Sequence, residues 1–236
     1  MSTHPLRKII QKTGFDVLKF RPKPNPLEWL KDKQIKTVLD VGANVGQFAK
    51  EIREFLPETK IISFEPLSDC FHKLTENMKD DNSFKAFNFA LGEKDEVTTI
   101  HHSDYSPSSS ILHMAHNHKS LFPHTKESRP EQITIKKLDD LDLITTEKLE
   151  QHILLKIDTQ GFEDKVLKGA EKFLEHVTYI IIETSYIELY EKQPLFADIY
   201  SILTHKEFIY KGGLQQKMNG KTGQIISEDS LFVKEN

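Results

Sequence analysis

Asp40, Gly42, Asn44 and Gly46 fall within one short stretch, VLDVGANVGQFA, and Glu65 follows 19 residues after Gly46 in ISFEP. Glycine at such a turn lets the backbone bend tightly and come close to a ligand with no Cβ in the way. A helix starting directly after the turn offers free N–H groups to whatever is bound. The dinucleotide fingerprint G-x-G-x-x-G relies on its middle glycine for the pyrophosphate contact, and Val41 to Gly46 lack that glycine. Asp40 at the end of the preceding apolar run would repel a pyrophosphate but suits a ligand carrying ammonium and sulfonium charge. Glu65 can accept hydrogen bonds from both hydroxyls of a ribose, which suits NAD and S-adenosylmethionine equally.

A second constellation is LLKIDTQGFEDKVLKGA, residues 154–170. Asp158 closes an apolar strand, Gly161 permits a turn, and Glu163 opens a helix, where its charge meets the positive end of the dipole. Capping is the preferred role for Glu163. Ligands of open α/β sheets sit at the carboxyl ends of strands, which puts Asp158 at the crevice as a helix cap, a substrate contact, a metal ligand or a base. Glu183, which ends the later run IIIE, is a second candidate base. Residues 101–124 hold six of the chain's 11 histidines, and His102 and His113 are further candidates for that role. His113, His116 and His118 match no standard zinc spacing, so a polar lid with solvated histidines is the preferred reading, and no metal is assigned. A divalent ion at Asp158 is the weaker alternative.

These residues need a scaffold, and the hydrophobic pattern supplies one. Thr37–Val41, Lys60–Phe64, Phe84–Phe89, Leu154–Ile157 with Ile153, and Tyr179–Ile182 read as strands. Val45–Leu56, Ser68–Met78 and Glu163–Phe173 read as helices between them. Strands so uniformly apolar, alternating with helices, predict an α/β fold with a mostly parallel sheet covered on both faces. Val97–His101 and Ile133–Lys137 are β-like additions, and Phe208–Tyr210 with Ser230–Val233 predict an antiparallel pair at the C-terminal edge. A short helix is expected around Leu27–Lys33. Residues 5–20 carry an amphipathic pattern, followed by the proline-rich FRPKPNP linker. Packing on the domain is the preferred reading of that first helix; a membrane-surface contact or a homodimer through it are the alternatives.

The chain has 236 residues, enough for one α/β domain with a full core, here residues 35–236 behind an extension over 1–34. A formal charge of −4 argues against a general nucleic-acid binder. A single cysteine rules out an intramolecular disulfide and fits a reducing compartment, so a cytoplasmic location is expected. No apolar run is long enough to span a membrane.

In the order DVGANVG, SFEP, FNFALGE, SPSSSIL, LLKIDTQGFEDKVLKGA, IIIE and EDSLFVK, the chain resembles the FkbM family of S-adenosylmethionine-dependent methyltransferases over residues 37–235. KIDTQGFE with VLKGA is its most specific piece. The resemblance implies a Rossmann-like, seven-stranded, mostly parallel sheet with an antiparallel C-terminal strand and helices on both faces. It implies that Asp40, Gly42, Asn44 and Gly46 line the methionine part of S-adenosylmethionine, that Glu65 holds the ribose with Pro66 and Leu67 nearby, and that Asn88, Phe89 and Ala90 frame the adenine. Asp158 and Gln160 would face the methyl group and the acceptor, with Ser109 and Ser110 in a substrate loop. The reaction implied is O-methylation of a small-molecule or glycan hydroxyl, with sugars, glycolipids and polyketide-like metabolites as typical acceptors. Attack by an aliphatic hydroxyl requires loss of its proton, hence a base. The competing readings are a nicotinamide-dependent oxidoreductase and a non-catalytic S-adenosylmethionine-binding protein. DNA amino-methylation is disfavoured because DTQG stands where D/N-P-P-aromatic is required, and cytosine methylation because Cys70 lies elsewhere.

Overall fold

The computed structural model describes Thr13, residues 25–103, residues 110–112, Ala115 and residues 128–235. The amphipathic segment 5–20, most of the linker, His113 and Ser109 lie outside the described residues, and so does the expected homodimer contact through the first helix.

Five apolar runs form the parallel part of the main sheet: β1 (Thr37–Val41), β2 (Lys60–Phe64), β3 (Phe84–Phe87), β7 (Ile153–Ile157) and β8 (Val177–Ser185). Every residue of β1 and β7 is buried, as expected for strands covered on both faces. Two long C-terminal strands, β9 (Phe208–Met218) and β10 (Ile225–Lys234), complete the order β3-β2-β1-β7-β8-β10-β9. β10 runs antiparallel to both of its neighbours. The expected antiparallel pair is therefore present, and it is longer than the apolar pattern indicated.

Helices α1 (Gln47–Phe55) and α2 (Ser68–Asn77) follow β1 and β2, burying Ala49 and Ile52, and Cys70 and Leu74. The turn of 3-10 helix at Glu28–Asp32 places Leu30 against the core on the α1 side. A short α3 (Leu143–Thr146) precedes β7. The helix expected over 163–173 stops early as α4 (Glu163–Lys168). Its end is fixed by contact: a Cβ on Gly169 would lie 1.8 Å from the carbonyl oxygen of Gly92, so the chain turns there against the backbone that follows Leu91. No helix was expected between β8 and β9, yet α5 (Phe196–His205) fills that interval with Ile199 and Leu203 buried four residues apart. Phe196 and Tyr200 pack on Tyr210, so apolar residues spread beyond the Ile199–Leu203 stripe and blur the helical period.

The two β-like additions do not join the main sheet. Strands β4 (Ala90–Leu91), β5 (Glu96–Ser103) and β6 (Ser128–Lys136) form a second sheet in the order β4-β6-β5. β5 and β6 are antiparallel, with Ser103 opposite Ser128. Ile100, Ile133 and Ile135 of this sheet pack with Leu67, Cys70 and Ala90, making an apolar wall beside the carboxyl ends of β1 and β2. Among the described residues no helix is long and apolar enough to cross a membrane.

Candidate active site

The turn after β1 is built around Gly42, at φ +82°. A Cβ there would sit 2.0 Å from the backbone oxygen of Asp158, so the loops that end β1 and β7 touch through the space that only glycine leaves. The N–H groups of Gly42 and Ala43 donate to the carbonyl of Phe64 at 3.0 and 3.1 Å, tying this turn to the end of β2. Gly46 also has a positive φ, but a Cβ on it would meet Leu74 at 2.8 Å. Its role here is to let the start of α1 pack on α2.

Glu65 is the pivot of the nucleoside side. Its Oε2 accepts the N–H of Asn44 at 2.8 Å and its Oε1 the N–H of Leu67 at 2.9 Å. Each carboxylate oxygen keeps further lone-pair capacity for a hydroxyl. Burial pushes the Glu65 carboxyl up to about 7, against the two N–H groups that favour its ionised form. Glu65 lines a cavity of about 290 Å³ together with Gly42, Asn44, Pro66, Leu67 and Ala90. Ile100, Ile111 and Phe162 supply apolar walls, and Asp158, Gln160 and Lys217 supply polar ones. Asn88 instead braces the wall from behind, donating to the carbonyls of Glu65 and Pro66 at 2.9 and 3.0 Å. Phe89 packs among Phe64 and Phe87.

A charged network closes the other side. Asp40 is buried opposite Lys156 in the β1–β7 register, and Ser63 donates to it at 3.4 Å. Burial raises the Asp40 carboxyl to about 7, with Lys156 and Ser63 opposing. The Lys156 side chain is only 8% exposed, with its Nζ 3.4 Å from Asp158 and 3.5 Å from Asp229. Burial disfavours its charge, but Asp158, Asp229, Glu183 and Asp40 outweigh that and hold it as an ammonium. Asp158 responds in kind: burial pushes its carboxyl up, and Lys156 and Lys217 overcome this and keep it below the usual carboxylate value. Glu183 goes the other way, raised by burial and by Asp158. Lys217 reaches over from β9 to donate to Glu183 at 2.7 Å.

Gln160 joins the two carboxylates. Its Nε2 donates to Asp158 at 2.6 Å and to Glu183 at 2.7 Å. Ser110 is buried and donates to the backbone oxygen of Gln160 at 2.6 Å, which makes it an anchor of this turn. Glu163 accepts the N–H groups of Thr159 and Gly161 at 3.0 Å, so its carboxylate braces the turn that precedes α4. His102 lies in β5 opposite Arg129. Among the described residues no group of three or more His, Cys, Asp or Glu side chains is arranged to hold a metal.

Asn44, Glu65, Asp158 and Gln160 therefore line one crevice, and Asp40 and Glu183 lie behind it, coupled to Asp158 through Lys156 and Gln160. Lys156, Lys217, Tyr190 and Ser63 join them without having been singled out in the sequence. Lys156 did carry a signal, a lysine inside the otherwise apolar run ILLKI.

Strand order, a glycine turn after β1 and an acidic residue closing β2 define a Rossmann-like methyltransferase. The methyltransferase FkbM domain matches residues 40–210, and the chain belongs to that family. It is similar to the 2-O-methyltransferase NoeI of Sinorhizobium fredii, 27% identical over 186 residues and covering 76% of each chain. Similarity extends to Methyltransferase 1 of Beauveria bassiana, 27% identical, covering 72% of this chain and 71% of that one. The hexuronic acid methyltransferase AglP of Haloferax volcanii is 28% identical, over 61% of this chain and 54% of its own. The protein is an enzyme, a methyltransferase.

Proposed function

We propose that the enzyme transfers a methyl group from S-adenosylmethionine to a hydroxyl of a sugar, glycan or polyketide-like acceptor. The observation that carries this reading is one cavity with Glu65 on one wall, suited to a ribose, and an ionised Asp158 on another, suited to a proton. The 2-O-methyltransferase name of NoeI supports an oxygen acceptor, and the hexuronic acid in the name of AglP supports a sugar. S-adenosylmethionine supplies an electrophilic methyl on a sulfonium. Glu65 holds the ribose hydroxyls, the Gly42 turn admits the methionine part without a Cβ, and Asp40 offsets its positive charge through the low-dielectric floor. Asp158 accepts the proton of the acceptor hydroxyl, and Lys156 beneath it keeps the carboxylate ionised beforehand. Positioning of the acceptor in line with the bond to be broken contributes the rest. The buried thiol of Cys70 agrees with a reducing compartment, and we place the reaction in the cytoplasm. Residues 35–236 form the catalytic domain.

The test is titration calorimetry with S-adenosylhomocysteine and with NAD, followed by mass-spectrometric detection of methyl transfer to a panel of glycosides. Binding of NAD without S-adenosylhomocysteine would overturn the reading, and cofactor binding with no transfer to any hydroxyl would leave a non-catalytic binder. Substituting Glu65→Gln should weaken S-adenosylhomocysteine binding about tenfold, the loss of roughly one charge-assisted hydrogen bond.

Asp40 and Glu65 both sit at about 7, so each gains a proton as pH falls below 7 and then holds the cofactor less well. Affinity for S-adenosylhomocysteine should drop by about tenfold or more from pH 8 to pH 6. Asp158, held low, stays ionised over that range, so kcat at saturating cofactor should remain on a plateau. A histidine base with an ordinary value of about 6.5 would instead lose most of kcat by pH 6, and such a loss would return the role to His102 or His113.

A further inference from the structure

Tyr190 lies 30 residues beyond Gln160, and its ring is 1% exposed. Its hydroxyl donates to Oε1 of Gln160 at 3.0 Å. Its own backbone is fixed, because the N–H groups of Leu189 and Tyr190 both donate to Oε1 of Gln193, at 2.9 and 2.6 Å. Gln160 springs from a backbone with φ +55°, a conformation that glutamine rarely adopts, and the Ser110 hydroxyl clamps the carbonyl of that residue. Its side-chain amide therefore has all three terminal contacts specified: two hydrogens on two carboxylates, and the oxygen on a phenol.

An amide's oxygen and nitrogen have nearly the same shape, so contacts alone decide which way it points. The two carboxylates set that direction, because a reversed Oε1 would face acceptors, whereas the Tyr190 hydroxyl could meet either end. We propose that Tyr190 is a positioning residue: its hydroxyl, donating to Oε1, holds the Gln160 amide in place and polarises it, which strengthens the bonds that its hydrogens make to Asp158 and Glu183. The inference rests on the reading of Asp158 as the base. The groups facing Asp158 from the surrounding elements are Lys156 of β7, Glu183 of β8, Lys217 of β9, Asp40 of β1 and Glu163 of α4. Lys156 and Lys217 favour its ionised form and the three carboxylates oppose it. A donor held on Oδ1 adds to the favourable side, and loosening it weakens that side.

The experiment reads the Asp158 proton directly and needs no acceptor. Full-length protein labelled with carbon-13 at aspartate carboxyls, saturated with S-adenosylhomocysteine, is titrated by NMR, with Asp158→Asn identifying the resonance. Tyr190→Phe, which keeps the ring, should raise the Asp158 midpoint by about 0.5–1 pH unit. Gln160→Leu should raise it further, and Tyr190→Phe combined with Gln160→Leu should match Gln160→Leu alone, because Tyr190 acts through that amide. An unchanged midpoint in Tyr190→Phe, or shifts that add in the double variant, would overturn the proposal. A purely structural role would lower the melting temperature and leave the midpoint in place. Site-specific 3-fluorotyrosine at position 190, a stronger donor with the ring retained, should move the midpoint down, and it keeps the test open should Tyr190→Phe not fold. Shifted midpoints alongside full methyl transfer by Asp158→Asn would sink the assignment of the base and spare the role of Tyr190.

Discussion

Asp158→Asn is expected to lower kcat by roughly 100- to 10,000-fold, the range over which a positioned general base contributes. The substitution keeps the size of the side chain and removes its ability to take a proton. S-adenosylhomocysteine affinity should stay within about threefold of the parent, because Glu65 holds the ribose and the Gly42 turn the amino-acid part independently of this carboxylate. Lys156 would lose one of its carboxylate neighbours but keep Asp229 at 3.5 Å, so the ammonium does not become an isolated buried charge. Single-turnover kinetics alongside calorimetry separates the two effects. Glu183→Gln provides the comparison: its carboxyl bonds Gln160 and Lys217, so its loss should cost kcat less. A larger loss in Glu183→Gln than in Asp158→Asn would exchange the two roles.

Gly42→Ala is the second large effect, and it falls on folding as well as binding. A methyl group there would meet the Asp158 carbonyl oxygen at 2.0 Å, a backbone atom that cannot swing away. The residue would also have to hold φ +82°, which costs an L-residue about 1–2 kcal/mol before any clash is counted. Total destabilisation should reach about 3 kcal/mol or more, lowering the melting temperature by roughly 10 °C in a domain of this size. Cofactor binding should be lost at the same time, because relief of the clash moves the β1 and β7 loops apart. Gly220→Ala is the control, since Gly220 has nothing within 4 Å of a Cβ and should leave both properties unchanged.

The sequence revealed what local pattern can encode. β1 and β2 run over the predicted residues because an unbroken apolar run bounded by a turn has few other places to go. Asp40, Glu65 and Asp158 were recognisable because each stands at the end of such a run. Lys156, Lys217 and Tyr190 were not, because their meaning depends on which strands lie side by side. Lys156 meets Asp229 across a separation of 73 residues, through β8 and a reversed β10, and no local spacing reports that. Gly46 shows the converse, a motif glycine whose visible constraint is a neighbouring leucine.

The pairing of Ser103 with Ser128 means that the chain leaves the small sheet and returns to it at the same point. Between those ends Ser110 holds the carbonyl of Gln160, Ile111 lines the cavity and the N–H of Ala115 donates to the carbonyl of Leu189, so the excursion is tied to the site at three described points. A transplant of that stretch from a relative should therefore disturb the methyl donor's half of the enzyme unless Ser110 and Ile111 are kept.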